Sequence, residues 1–243
     1  NKLKKIYFRI ILLPDYILNT KFFKRLLVNR VSQRGVELKF QIQNSITLDR
    51  SIFYYETETL NWIEKFKANE IFWDIGACTG VYSIIASKKG LKSFAFEVDY
   101  PTFQICKKNL NLNKVEDLCK VFNILIGADS KLVNLDINKV AAISKTPILN
   151  DKNDNSLMSF KLDDLINFEG FEAPNYIKID VERTEDNLFK GGDKFFKLDS
   201  IKSIMVEISF DHLEYIKNFL EERNFMISER YEQGSGDANI LFI

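Results

Sequence analysis

Short apolar runs alternate with helix-type spacings along most of the chain. Several runs are apolar nearly throughout, which is typical of parallel strands covered on both faces. Helix-type spacing follows the second run, where Phe103, Cys106 and Leu110 fall on one face of a segment that opens at Pro101. This alternation predicts an α/β fold with a Rossmann-like, doubly wound and mostly parallel sheet. The predicted strands span residues 71–75, 93–98, 121–126, 176–181, 203–209, 225–231 and 238–243.

The two ends of the chain follow other patterns. The last two runs have no helix between them and predict an antiparallel hairpin at the edge of a seven-stranded sheet. Residues 2–30 predict one or two basic amphipathic helices broken at Pro14, and residues 36–48 predict a short hairpin or edge strand. We therefore divide the chain into an N-terminal basic extension with helices and short strands, residues 1–50, and an α/β domain, residues 51–243.

Three further segments complete the prediction. Residues 57–66 predict a helix ahead of the first strand of the sheet, and residues 127–156 predict a strand followed by a surface loop. Asp211 and Glu214 have the spacing of a capping box, which predicts the start of a late helix at Asp211.

The net charge of zero conceals a basic start to the chain. Residues 1–34 carry nine basic side chains and one acidic side chain, a net charge of +8, so the remaining 209 residues carry −8. Such a segment predicts contact with an anionic surface. Three alternatives remain for this surface. It could be the acidic body itself, an acceptor site that the segment would cover as a lid, or anionic lipid at the inner face of a membrane.

Composition narrows the class of protein. At 46% hydrophobic residues the chain can bury a core, and no stretch reaches the roughly 18 apolar residues that a transmembrane helix needs. Three cysteines without metal-type spacing predict reduced thiols and a cytoplasmic location. The single histidine, His212, excludes sites built from several histidines, and we predict no metal.

The segment WDIGACTGVYS, residues 73–83, carries most of the chemical information. A buried strand there runs into a glycine-rich turn and a helix, the geometry that holds a nucleotide-like ligand. The dinucleotide fingerprint needs a glycine where this chain has Cys78, because the backbone must approach a pyrophosphate. The pattern Asp74-x-Gly76-x-x-x-Gly80 instead places a carboxylate where a cationic amino group would bind. It favours S-adenosylmethionine, which has ammonium and sulfonium charges and no phosphate, over NAD.

Glu97 adds to this interpretation. It ends the next strand, 21 residues after Gly76, where an acid can accept hydrogen bonds from both hydroxyls of a ribose. A glycine-rich turn alone is often structural, and an acid at a strand end is often merely solvated. Their joint spacing within an α/β pattern favours an adenosyl ligand.

A second acidic cluster follows a later strand, in YIKIDVERTE, residues 176–185. Strand alternation puts Asp180 and Glu182 on one side of this strand near its carboxyl end, the edge that faces the ligand crevice. Glu207 ends the following strand at the matching level. The alternative is a solvated strand end with Arg183 as ion-pair partner, but a third acid at the same level favours a functional cluster.

Taken in order, these segments resemble the FkbM-type S-adenosylmethionine-dependent methyltransferases, which have the class I methyltransferase fold. The resemblance runs from about Tyr55 to Ser209 and is carried by YETET, WDIGACTGVYS, FEVDYPTFQICKKNLNLN, KLDDL, IKIDVE, KG and MVE. It implies methyl transfer from S-adenosylmethionine to a hydroxyl of a sugar, a glycan or another small metabolite. Residues 51–243 would then be a class I methyltransferase-like domain.

The resemblance also implies site residues. Asp74, Gly76 and Gly80 match the cofactor loop, Glu97 matches the ribose acid, and Asn123 would contact the adenine. The residues predicted to bind the cofactor are Glu56, Asp74, Gly76, Ala77, Gly80, Tyr82, Glu97, Val98, Asn123 and Asp180.

Methyl transfer to an alcohol requires alignment and benefits from a general base. The candidates by position are Asp180, Glu182, Glu207 and His212. Asp180 is the first choice, because it would lie beside the methyl-bearing end of the crevice.

One residue departs from the family pattern. The family has Asp-Val-Glu-Gly-x-Glu, whereas this chain has Arg183 at the glycine position. Arginine there would change the acceptor pocket, recognise an anionic acceptor or mark a weakened site. The alternative function is therefore a non-catalytic binding module of the same fold. Nucleic acid is disfavoured as an acceptor, because none of the four prolines begins a Pro-Pro-aromatic or Pro-Cys motif.

Overall fold

The computed structural model describes residues 28–33, 35–41, 56–134, 156–181, 184–233 and 236–243. Their fold is mixed α/β, as the alternating pattern predicts. The strands are β1 (Val28–Gln33), β2 (Val36–Gln41), β3 (Ile71–Ile75), β4 (Lys92–Phe96), β5 (Cys119–Phe122), β6 (Leu125–Ile126), β7 (Lys131–Asn134), β8 (Ser156–Phe160), β9 (Tyr176–Ile179), β10 (Ser203–Ser209), β11 (Ile227–Gln233) and β12 (Asp237–Phe242). The α-helices are α1 (Thr57–Glu64), α2 (Val81–Lys88), α3 (Tyr100–Asn113), α4 (Leu162–Leu165), α5 (Glu185–Lys190) and α6 (Leu213–Glu221).

The central sheet has seven strands in the order β11-β12-β10-β9-β3-β4-β5. Parallel pairing joins β3 to β4 and β9, β4 to β5, and β9 to β10. β12 runs antiparallel to both β10 and β11. The predicted mostly parallel sheet with an antiparallel C-terminal edge hairpin is confirmed. The carboxyl ends of the parallel strands meet at one edge, so the residues that follow them lie together.

Both faces of this sheet are covered. Neighbouring residues of β3 point to opposite faces: Phe72 packs in one apolar cluster with Ile84, and Trp73 packs in another with Phe195. All four side chains are fully buried. Burial on both faces explains why the strands read as nearly continuous apolar runs.

The helix predicted to open at Pro101 is α3. Asp99 is its N-cap residue, and its Oδ2 accepts hydrogen bonds from the Thr102 amide at 2.9 Å and the Thr102 hydroxyl at 2.6 Å. Pro101 lies in the first turn, where its missing amide hydrogen has no helical partner to lose.

The capping box predicted at Asp211 is wrong. The N-cap residue of α6 is His212, and no side-chain hydrogen bond caps this helix. The amide of His212 instead donates to the carbonyl of Ser209 at 2.9 Å. This turn delays the start of the helix past Asp211.

The run at residues 121–126 is not one strand. β5 ends at Phe122, and β6 belongs to a separate three-stranded sheet in the order β6-β8-β7. The side-chain amide of Asn123 donates to the carbonyls of Glu97 and Val98, and this bend directs the chain out of the central sheet. β7 is the strand predicted within residues 127–156, and residues 135–155 lie outside the described part.

β1 and β2 form an antiparallel hairpin that begins at Val28. The helix predicted for residues 2–30 is therefore wrong at residues 28–30, where pairing with β2 overrides local propensity. The rest of that prediction falls on residues 1–27, outside the described part of the chain.

The hairpin packs against the α/β body. Leu38 and Phe40 of β2 are fully buried in the apolar cluster that contains Ile84. The domain division at residue 50 falls outside the described residues and stays a prediction. Among the described residues, none of the helices has both the length and the hydropathy of a membrane-spanning segment.

Candidate active site

The turn between β3 and α2 has three residues with positive φ: Gly76 at 85°, Cys78 at 51° and Gly80 at 83°. A Cβ on Gly76 would lie 1.8 Å from the backbone oxygen of Asp180. Glycine at position 76 therefore lets the end of β3 pass against the end of β9. This contact joins the two segments in which the sequence places the candidate chemistry.

Hydrogen bonds fix the backbone of this turn. The amides of Gly76 and Ala77 both donate to the carbonyl of Phe96, at 2.9 and 3.0 Å. The amide of Cys78 donates to Oε2 of Glu97 at 2.8 Å. These hydrogen bonds hold the turn against the end of β4.

Asp74 lies beneath the turn and is 1% exposed. Its Oδ2 accepts hydrogen bonds from the Ser83 amide at 3.1 Å and the Ser83 hydroxyl at 2.6 Å. Its Oδ1 has no hydrogen-bond partner among the described residues. Burial raises the pKa of Asp74 to about 6, although the charge of Lys178 opposes this shift. Because an unsatisfied buried oxygen costs free energy, a donor such as an ammonium group would be favoured here.

Glu97, Val98 and Asn123 form a second part of the site, at the ends of β4 and β5. The two oxygens of Glu97 accept hydrogen bonds from the Cys78 and Asp99 amides, each at 2.8 Å. Burial raises the pKa of Glu97 to about 7 in spite of these bonds. Asn123 Nδ2 donates to the carbonyl oxygens of Glu97 at 2.8 Å and Val98 at 2.9 Å. Each carboxylate oxygen of Glu97 retains a lone pair that a ribose hydroxyl can use.

Three acids meet beside the turn. Carboxylate oxygens of Glu56, Asp180 and Glu207 lie within 4.8 Å of one another. Lys178 Nζ is 2.8 Å from Asp180 Oδ2 and 3.9 Å from Glu56 Oε2, so it supplies a positive charge among them. Burial, followed by the charge of Asp180, raises the pKa of Glu207 to about 8. The convergence expected of Asp180 and Glu207 is present, and the absence of a metal stays a prediction.

Tyr82, from α2, connects this acid cluster to the turn between β3 and α2. Its hydroxyl accepts a hydrogen bond from the Glu56 amide at 3.1 Å, and its ring centre is 5.1 Å from Lys178 Nζ, a cation–π distance. Burial raises the pKa of Tyr82 well above its ordinary value, so its hydroxyl stays protonated.

His212 is paired with Glu185, a residue outside the acid cluster. Its Nδ1 lies 2.7 Å from Glu185 Oε2. The Glu185 side chain is 2% exposed and that of His212 is 27% exposed, so a buried carboxylate orients a partly accessible imidazole. Glu182, the remaining candidate base, and Arg183 lie outside the described residues.

Sequence reasoning misses three residues of this region: Ser83, Lys178 and Glu185. A hydroxyl in the first turn of the helix after Asp74 is a usable signal for Ser83, and a lysine within an apolar strand is one for Lys178. Glu185 matches the last Glu of the family pattern, but its pairing with His212 has no local signal, because the two residues lie 27 positions apart.

A comparison of the chain with models of protein families identifies its family. The family model described as "Methyltransferase FkbM domain" matches residues 74–233, more than half of the chain. The chain belongs to this family. The match includes the turn after β3, Glu97, Asp180, Glu207 and His212, and it confirms the resemblance drawn from the sequence.

Two known methyltransferases are similar to this chain at low sequence identity. Over 146 residues the chain is 24% identical to the hexuronic acid methyltransferase AglP of Haloferax volcanii, across 60% of this chain and 59% of that protein. The crystal structure of a methyltransferase FkbM from Methylobacillus flagellatus KT superposes with a TM-score of 0.55 and 18% identity, across 73% of this chain and 44% of the other. This superposition shows the shared fold. The chain spans less than two thirds of the length of either relative.

Proposed function

We propose that this member of the FkbM family is an S-adenosylmethionine-dependent O-methyltransferase that methylates a hydroxyl of a sugar, in a glycan or a small metabolite. The observation that carries the proposal is the buried Asp74 carboxylate at the glycine-rich turn, with one oxygen lacking a donor among the described residues.

The residues around the turn suit the groups of this cofactor. Asp74 offers its unpartnered oxygen to the ammonium group, and Glu97 offers lone pairs to the ribose hydroxyls. The three carboxylates beside the turn favour a cationic ligand, and Cys78 occupies the position where a pyrophosphate needs glycine.

When bound, S-adenosylmethionine supplies a methyl group on a positively charged sulfur, which is electrophilic without further activation. The residues of the chain then have to align an acceptor oxygen and accept its proton. Asp180 borders the cofactor turn through its contact with Gly76, and Lys178 fixes its carboxylate with a 2.8 Å hydrogen bond.

Glu207 is the described acid that best suits the role of general base. Its pKa, raised to about 8, makes the ionised carboxylate a stronger base than an ordinary glutamate. Asp180, the first choice from the sequence, is engaged by Lys178. His212 is the second candidate, because a buried carboxylate that orients an imidazole is a recurrent base arrangement.

A sugar acceptor is supported by the resemblance and by AglP, whose name gives hexuronic acid as the group that it methylates.

A cytoplasmic location, and contact of residues 1–34 with anionic lipid, remain part of the proposal.

The experiment incubates the purified chain with radiolabelled S-adenosylmethionine and two probes, 4-nitrophenyl β-D-glucuronide and 4-nitrophenyl β-D-glucoside. We expect transfer of label to at least one probe, and mass spectrometry should locate one added methyl group on an oxygen. Cofactor binding without transfer to sugars of either kind would favour the non-catalytic module. Absence of binding would contradict the cofactor assignment.

The base assignment gives a separate prediction. Glu207→Gln should lower kcat by about 100-fold and remove a rise in rate near pH 8, because it removes the proton acceptor. His212→Gln is the matched comparison and should retain that rise. The opposite pattern in the pH profiles of the two variants would assign the base to His212.

A further inference from the structure

Asn109 of α3 joins two parts of the molecule that are distant in sequence. Its side chain is fully buried. Its Nδ2 donates to the carbonyl of Thr79 at 2.9 Å, and its Oδ1 accepts from the amide of Gln41 at 2.7 Å. Thr79 belongs to the cofactor turn and Gln41 ends β2, so one amide group holds both.

The same face of α3 packs against the turn. Thr79 stands between Cys78 and Gly80, which both have positive φ. A Cβ on Gly80 would lie 2.7 Å from Sγ of Cys106, one helical turn before Asn109. The Thr79 carbonyl therefore receives its hydrogen bond at the point where the turn is most constrained.

Asn113, one turn after Asn109, contacts the hairpin in a similar way. Its Oδ1 accepts from the Lys39 amide at 3.0 Å, and its Nδ2 donates to the Lys39 carbonyl at 2.7 Å. Its Nδ2 is also 2.8 Å from the carbonyl of Asn109. Among the described residues, no hydrogen bond joins Asn113 to the cofactor turn. Both asparagines thus bond to the hairpin, but only Asn109 also bonds to Thr79 in the turn.

We propose that Asn109 is a positioning residue for the cofactor, and that through it the β1–β2 hairpin is coupled to cofactor binding. The inference rests on the proposed function, because it takes S-adenosylmethionine to bind at this turn. Leaving a buried carbonyl without its donor costs free energy, and a turn that must be ordered on binding weakens affinity. Coupling is reciprocal: if the attached hairpin strengthens binding, bound cofactor must oppose detachment of the hairpin.

Two matched variants separate the two contacts of Asn109. Asn109→Asp keeps an oxygen for the Gln41 amide but removes the donor to Thr79. Asn113→Asp removes the donor to the carbonyls of Lys39 and Asn109, and neither carbonyl belongs to the turn. With S-adenosylhomocysteine as the probe in calorimetry, we expect Asn109→Asp to weaken Kd by about tenfold. Asn113→Asp keeps the donor to Thr79 and loosens only the hairpin, so it should raise Kd by less, about threefold.

Hydrogen exchange on the wild-type chain tests the coupling without any substitution. Saturating S-adenosylhomocysteine should slow exchange of the β2 amides, residues 36–41, and leave exchange in β11, at the far edge of the sheet, unchanged. This measurement decides the question even if Asn109→Asp does not fold.

The outcomes distinguish this inference from the proposed function. A wild-type chain that does not bind S-adenosylhomocysteine contradicts both. If the wild-type chain binds but exchange in β2 is unchanged, the coupling is overturned. If both variants lose the same affinity, the positioning role of Asn109 at Thr79 is overturned. Either result leaves the cofactor assignment intact.

Discussion

Lys178 projects from β9 into the group formed by Glu56, Asp180 and Glu207, with 1% of its surface exposed. Burial alone lowers the pKa of a lysine, but Asp180 and then Glu56 raise that of Lys178 well above its ordinary value. The ammonium group therefore stays charged at every pH at which the fold is studied. Its charge keeps the three acids together beside the cofactor turn.

Replacing Lys178 should be costly. Lys178→Met leaves the Asp180 carboxylate without its counter-charge and should lower the free energy of unfolding by about 3 kcal/mol, measured by urea denaturation at pH 8. Lys197→Met is the control, because it breaks an exposed pair with Asp193 and should cost less than about 0.5 kcal/mol. Equal losses in the two variants would contradict the role given to Lys178.

Individual site residues differ in how far the sequence reveals them. Asp74, Glu97 and Glu207 lie in or directly after buried strands, so the run of apolar residues locates them. The pairing of Glu185 with His212 joins the starts of two helices that are separated by β10, and no periodicity encodes that distance.

The turn between β3 and α2 requires glycine at position 76. Gly76→Ala forces a Cβ to within 1.8 Å of the Asp180 carbonyl at a φ of +85°, so β3 and β9 must separate. We expect a loss of about 3 kcal/mol in the free energy of unfolding, together with loss of S-adenosylhomocysteine binding.

Gly170→Ala is the control for this variant. Gly170 also has positive φ, +97°, but a Cβ there has open space around it. Only the conformational cost, about 1 kcal/mol, should appear in its denaturation curve. If both variants lost the same stability, the close approach of β3 and β9 would not be what position 76 requires.

Elements also differ in how far the sequence determines them. β3 and β10 begin and end where their apolar runs do, because both are central strands buried on two faces. β6 could not be predicted as a separate strand, since its partner β8 lies more than 30 residues away. The capping box at Asp211 failed because a turn after β10 competes for the same residues.

Among the described residues, three buried or half-buried acids with raised pKa values contribute to the pH dependence of stability. The pKa is raised from 3.8 to about 6 for Asp74, from 4.5 to about 7 for Glu97 and from 4.5 to about 8 for Glu207, in each case mainly by burial. A folded-state pKa above the unfolded value means that the folded chain binds more protons. The stability that these groups contribute is therefore present below about pH 4 and is lost as pH rises to about 8.

Urea denaturation across this range should show the loss, and Glu207→Gln should flatten its upper part, above about pH 7. An unchanged slope in Glu207→Gln would mean that Glu207 does not titrate within the acid cluster. Bound cofactor should reduce the loss, because its positive charges stabilise the ionised acids.

The proposed function depends above all on binding of S-adenosylmethionine at the turn after β3, through the buried carboxylate of Asp74. Isothermal titration calorimetry of the wild-type chain and Asp74→Asn with this cofactor, near neutral pH, tests it most directly. We expect one site per chain with a Kd of about micromolar. For Asp74→Asn, whose amide can still accept from Ser83 but has no charge, we expect a Kd at least about tenfold higher. A wild-type chain without measurable binding at millimolar cofactor, or equal binding by the two chains, would contradict it.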